Sequence, residues 1–317
     1  MRFLAADIGG TYSRLAWSTD GSDVGNEPQV FNNAEFDSLE AVIERGLEML
    51  AARGQPIEHM VLAVPGPTHT DPIQLTNIDW KLDRDRLQAR FQISRLTIVN
   101  DFQAAALGAI AEPRERLRVL NAAAPDDGAV VVAGAGTGLG MAWLPTADTG
   151  VLPRATEGGH LDFGPNNERE AALYRWLAAR YGHVSYERIL SGDGLLDTYD
   201  FLAGDNAQAT EPAQIAALAR QADTHAADAV RLFVGIFAAY AGNLALAFNP
   251  GGGIYLCGGL TVHLADWFEP TSFMAAFSAK GRMAGVVSRI PVFLVTRHDT
   301  GLSGARHIAM NFHGTDT

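Results

Sequence analysis

The chain has 317 residues, is 47% hydrophobic and carries a formal net charge of −12. That length suits two domains with real cores, and the acidic balance excludes a nucleic-acid binder, which needs a basic footprint. A lone Cys257 excludes an internal disulfide or a cysteine zinc cluster, and no unbroken apolar run approaches the ~18 residues of a membrane span. Asp7 interrupts what would be the core of a signal peptide, so a cytoplasmic protein with no membrane partner is expected.

Strands are expected at 2–7, 12–18, 28–31 and 58–64. Asp37 and Glu40 have capping-box spacing and predict a helix through about Arg53. Leu96 to Asn100 reads as a short strand, and Asp101 begins a helix, FQAAALGAI. Strands near 116–120, 129–134 and 139–144 follow. The chain then turns mostly helical, at about 167–181, 193–203, 211–220 and 222–248. A buried strand, Ile254 to Cys257, ends at Gly258-Gly259, and a strand at 291–296 precedes a helix from Gly301 to Met310. The expected organisation is a small α/β domain over 1–110, completed by the C-terminal helix 300–317, and a large α/β domain over 111–299.

Two glycine turns, each after an apolar run, stand out. One is LAADIGGTYSRLAW, with Asp7, Ile8, Gly9, Gly10 and Thr11; the other is VVVAGAGTGLGMAW, with Gly134, Gly136, Thr137, Gly138 and Gly140. Each reads as strand, turn, strand with an Ala-Trp exit, the form of two phosphate grips from a duplicated half-domain. Glycine is expected there to allow positive φ and to bring bare N–H groups close to an anion. A lysine-based phosphate loop is excluded, because the only lysines are Lys81 and Lys280 and neither follows a glycine. The dinucleotide fingerprint also fails, since Leu139 and Met141 occupy its last glycine position. Phosphate is then held by backbone amides, hydroxyls and a divalent cation, normally Mg²⁺. Valine at Gly10 or Gly138 is expected to impair nucleotide binding and spare the other ligand.

Asn100-Asp101 sits where a strand becomes a helix, which suits either an N-cap or a general base held beside a hydroxyl. EGGHLDFGP carries Glu157, His160 and Asp162, and HVSYERILSGDG carries Glu187. Carboxylates, a carboxamide and an imidazole with little cationic charge nearby suit a neutral polyol. Structural readings stay open here: a satisfied core histidine, and a helix-surface carboxylate at Glu187.

DIGGT, VNDF, GAGTGLG, EGGHLDFGP, HVSYERILSGDGLL, GNLAL and YLCGG resemble, in order and spacing, the bacterial glucokinases of the hexokinase–actin–heat-shock ATPase superfamily. The resemblance runs from about residue 3 to 306. It implies two ribonuclease-H-like (actin-like ATPase) α/β domains flanking a cleft and closing over glucose and Mg-ATP, with transfer to the sugar's 6-hydroxyl. It places Asp7, Ile8, Gly9, Gly10, Thr11, Gly136, Thr137 and Gly138 at the phosphates, with Asp7 near magnesium through water. Gly258 and Gly259 would flank the nucleoside. Asn100, Asp101, Glu157, His160 and Glu187 would hold the sugar, with Asp101 as base, and a homodimer is implied. Tyr12 departs from the asparagine usual after GGT, and Thr300 from the usual residue before Gly-Leu. A sister family of sugar kinases with a cysteine-rich zinc motif is excluded by the single cysteine. A sugar- and nucleotide-binding regulator with little turnover, or a kinase for another hexose, remains the alternative.

Overall fold

The structure is a computed structural model that describes residues 2–18, 27–49, 56–76 and 78–312. The end of the helix expected through Arg53 and the last five residues of 300–317 lie outside the described residues. The chain divides into two compact units: residues 1–111, 149–153 and 299–317, and residues 112–148 and 154–298.

The first unit is built on β1 (Phe3–Ile8), β2 (Tyr12–Ser18) and β3 (Gln29–Asn32), followed by α1 (Leu39–Met49) and β4 (His59–Val64). A small hairpin of β5 (Ile73–Gln74) and β6 (Lys81–Leu82) precedes α2 (Arg84–Phe91), β7 (Arg95–Asn100) and α3 (Asp101–Ile110). Its five-stranded sheet runs β3-β2-β1-β4-β7, antiparallel through β1 and parallel from β1 to β7. Strands buried on both faces read as continuous apolar runs, as HMVLAV of β4 does. The pleat divides β1 between two cores. Leu4, Ala6 and Ile8 join α1 residues such as Val42 and Ile43, whereas Phe3 and Ala5 join Leu107 of α3 and Leu302 and Ala305 of the C-terminal helix, Thr300–Asn311.

The capping box expected at Asp37 and Glu40 is not formed. Ser38 Oγ accepts from Ala41 N at 3.3 Å instead, and Glu40, 6% exposed, pairs with Arg86 at 3.2 Å. The helix therefore starts one residue later, and its first-turn carboxylate is spent on α2.

The second unit contains β8 (Arg118–Asn121), β9 (Val130–Ala135), β10 (Leu139–Leu144) and β11 (Arg154–Thr156). Helices α4 (Glu168–Tyr181), α5 (Gly192–Ala203), α6 (Pro212–Arg220) and α7 (Thr224–Phe248) follow. The unit closes with β12 (Gly253–Cys257), α8 (Gly259–His263), α9 (Pro270–Phe277), α10 (Ala284–Val287) and β13 (Val292–Leu294). Its sheet order is β11-β10-β9-β12-β13-β8, antiparallel across β11, β10 and β9 and parallel across β9, β12 and β13. The first five strands repeat the pattern of the other sheet, with an antiparallel edge strand, β8, added. Among the described residues α7 alone has the length and hydropathy of a membrane span, but 72% of its apolar window is buried inside the unit's core.

Candidate active site

In each unit the parallel strands end at a common edge, where open α/β sheets take their ligands. In the first unit Asp7 is in register with Ala63, and Val64 with Asn100. The turn after β1 and the β7–α3 junction therefore lie on one edge. In the second unit Gly134 is in register with Cys257, so Gly136–Gly138 and Gly258–Gly259 also leave from one edge.

The β1–β2 turn is closed by Gly9 N donating to the Tyr12 carbonyl at 2.9 Å. In the β9–β10 turn Gly136 N donates to the Gly138 carbonyl at 2.8 Å, and Gly192 N, opening α5, donates to the Gly136 carbonyl at 3.0 Å. Both are strand–turn–strand hairpins. The expectation of positive φ is not met, because the left-handed glycines include Gly258 at 100° but none in either turn. At Gly138 small size decides instead. A Cβ on Gly138 would stand 2.6 Å from Glu187 Oε2, and one on Gly258 would run into the Ala135 carbonyl, whereas Gly136 and Gly259 border open space.

Asp7 lies opposite Arg14 on β2, with 3.8 Å between Oδ2 and Nη1, and its side chain is 18% exposed. Gly301 leaves room for it: a Cβ there would approach the carboxylate to 2.6 Å. Burial pushes the Asp7 pKa up to about 6, Arg14 partly opposes this, and the nearby charge of Asp299 adds to it. A mostly buried carboxylate, offset by Arg14 at 3.8 Å but also near the charge of Asp299, is a fitting partner for Mg²⁺, which is held by one or two carboxylates plus waters and substrate phosphates. Among the described residues no cluster of three or more His, Cys, Asp or Glu could hold a metal alone.

The raised pKa has a consequence for stability. Between about pH 4 and 6 the folded protein keeps a proton that the unfolded chain has released, so stability falls as pH rises through this window. In metal-free protein, Asp7→Asn should therefore stabilise the fold by about 1–3 kcal/mol at pH 7.5, with the gain vanishing near pH 4. Thermal melts of both proteins across that range check this; a gain that persists at pH 4 contradicts it.

At the end of β7, Asn100 takes the N-cap. Its side chain accepts from Phe102 N at 3.0 Å and Gln103 N at 3.3 Å, and Gln103 Oε1 accepts from Asn100 N at 3.1 Å, completing a capping box. Asn100 Nδ2 donates to the Gly66 carbonyl at 3.4 Å. With the cap supplied by Asn100, Asp101 is the first residue of α3, where its Oδ1 accepts from Phe102 N at 2.8 Å. The helix N-terminus complements its negative charge.

The second unit brings Glu157, His160 and Glu187 together. His160 Nε2 stands 3.6 Å from Glu187 Oε1 and 3.9 Å from Glu157 Oε2, both longer than a hydrogen bond. The side chains thus converge while keeping hydrogen-bonding capacity for a further group. His160 is more than half exposed and so is not a core histidine. Glu187 lies outside the helices, in the segment before α5. Its N donates to the Gly159 carbonyl at 2.9 Å, and its Oε2 accepts from Leu139 N, in the second glycine turn's exit strand, at 2.8 Å. Asp162 turns elsewhere, with its Oδ1 2.7 Å from His183 Nε2.

Two contributors escaped the sequence reading. Gly192 at the start of α5 braces the second turn, and SGDG, a Ser N-cap followed by glycines, was its available signal. Asn33, beside the first turn, carried no motif at all.

The Glucokinase family model matches residues 4–312. The chain belongs to the glucokinase family. A glucokinase from Erwinia tasmaniensis is 36% identical over 307 residues, covering 95% of each chain. The crystal structure of a glucokinase from an Antarctic psychrotroph is 29% identical, with a TM-score of 0.82 over 98% of this chain and 99% of that one. A ROK-family glucokinase from Streptomyces griseus, crystallised with glucose and AMPPNP, shares the fold at 20% identity and a TM-score of 0.67, covering 97% of this chain and 99% of that one. The two mixed sheets are thus those of the actin-like ATPase fold, and the family makes this chain a sugar-phosphorylating enzyme.

Proposed function

We propose that this glucokinase-family chain transfers the γ-phosphoryl group of ATP to the 6-hydroxyl of glucose, with Asp101 as general base. The observation that carries the reading is the convergence of Glu157, His160 and Glu187 without mutual hydrogen bonds, a donor and acceptor set suited to a neutral polyol. The glucose and AMPPNP held by the Streptomyces griseus protein support the same ligand pair.

In this reading Asn100, Glu157, His160 and Glu187 hold sugar hydroxyls, and Asp101 accepts the 6-hydroxyl proton as the new O–P bond forms. The bond from the γ-phosphorus to its bridging oxygen breaks, and ADP leaves. The turns at 8–11 and 136–138 face the phosphates, with the N–H groups of Gly10 and Thr11 as donors in the first, and Gly258 and Gly259 flank the nucleoside. Asp7 would hold Mg²⁺ through water, and the ion when bound neutralises charge on the phosphates. Positioning and charge stabilisation then account for most of the rate. The homodimeric state and cytoplasmic location implied by the resemblance belong to the same proposal.

A coupled assay over a panel of hexoses and phosphoryl donors tests it. Glucose with Mg-ATP should give the highest kcat/KM; a higher value with another hexose, or with polyphosphate or ADP as donor, contradicts it.

A further inference from the structure

We infer that Asn33 is the positioning residue that aims the first glycine turn at phosphate, an inference resting on the proposed phosphate role of residues 9–11. Asn33 is 2% exposed, and all three turn carbonyls accept from it. Its Nδ2 donates to the Gly9 carbonyl at 2.8 Å and the Gly10 carbonyl at 3.3 Å, and its backbone N donates to the Thr11 carbonyl at 2.8 Å. Its Oδ1 accepts from the fully buried Ser13 Oγ at 2.7 Å, which fixes the orientation of the carboxamide.

The consequence follows from peptide geometry. In a trans peptide the C=O and the next N–H point in opposite directions. The only cis bond among the described residues is Asp71-Pro72. Drawing the Gly9 and Gly10 carbonyls onto Asn33 therefore turns the N–H groups of Gly10 and Thr11 away from it. Among the described residues no acceptor takes either N–H. Successive N–H groups held outward in this way form an anion-binding concavity. Tyr12, 47% exposed, contributes its carbonyl to the turn closure, so the orienting side chain comes from position 33 rather than position 12.

The test measures KM for ATP, KM for glucose and thermal stability in Asn33→Ala, Asn33→Asp, Ser13→Ala and Gly10→Val. Asn33→Ala should raise the ATP KM about tenfold or more, on the scale of lost buried hydrogen bonds, and leave the glucose KM within about twofold. Asn33→Asp should do the same, because a carboxylate cannot donate to the carbonyls. Ser13→Ala should raise the ATP KM about threefold by freeing the carboxamide. A folded Asn33→Ala with wild-type ATP KM, or equal rises for both substrates, overturns the inference. If Asn33→Ala does not fold, Ser13→Ala and Asn33→Asp decide in the same way. Gly10→Val separates the two levels: impaired with ATP while the Asn33 variants are normal, it sinks only the role of Asn33. If Gly10→Val also has a wild-type ATP KM, the phosphate reading of the turn itself fails.

Discussion

Asp101→Asn should lower kcat by about 10²–10⁴-fold and leave glucose affinity within about threefold of wild type. The local structure makes this a clean substitution. The cap of α3 is Asn100, and the bond that Asp101 accepts from Phe102 N at 2.8 Å can be kept by an asparagine carbonyl. Shape and packing survive, and the capacity to accept the 6-hydroxyl proton does not. Calorimetric glucose titration together with steady-state kinetics reads the two effects separately. A kcat within about threefold of wild type removes the base assignment and leaves Asp101 as a helix-start residue.

Glu187→Ala should damage both substrate sites, unlike Glu157→Ala or His160→Ala, which should weaken glucose alone. Losing a hydrogen bond to a charged group costs ~1.5–3 kcal/mol, or roughly ten- to a hundredfold in glucose affinity. Glu187 additionally holds Leu139 N at 2.8 Å, and Leu139 is 5% exposed, so alanine strands a buried N–H beside the second glycine turn. The ATP KM should therefore rise as well. Glu187→Gln keeps an acceptor for Leu139 N and should weaken glucose with little change toward ATP. Gly138→Val should copy Glu187→Ala, because its Cβ would displace Glu187 Oε2 from 2.6 Å. This revises the expectation that a bulky residue at Gly138 spares the sugar. Separate titrations with glucose and nucleotide check it; Gly138→Val with intact glucose affinity contradicts the coupling.

The elements legible in the sequence were those whose apolar pattern is long or uninterrupted, such as β4, β9 and α7. Helix α2 was not: RDRLQARF buries only Leu87, so it shows no apolar face. The β5–β6 hairpin has two-residue strands, too short for any alternation to register. The glycine turns were readable as turns, but the reason for their glycines was not. Positive φ is a local property, of the kind a short glycine-rich segment signals. The actual constraint on Gly138 is a carboxylate 49 positions away, and no local pattern encodes that contact. Asn33 was invisible for the same reason: its partners, Gly9, Gly10 and Ser13, come from a hairpin 20 or more residues earlier. Glu157, His160 and Glu187 were singled out by residue type and by resemblance, whereas the hydrogen bond tying Glu187 to Leu139 needed three dimensions.

The central claim is that one phosphoryl group passes from ATP to the 6-hydroxyl of glucose. Phosphorus and carbon NMR of the reaction mixture, with glucose labelled at carbon 6 and Mg-ATP supplied, tests it most directly. ADP and a phosphosugar are expected in equal amounts, with phosphorus coupled to the labelled carbon. Phosphate on another carbon, or ADP accompanied only by inorganic phosphate, would contradict it.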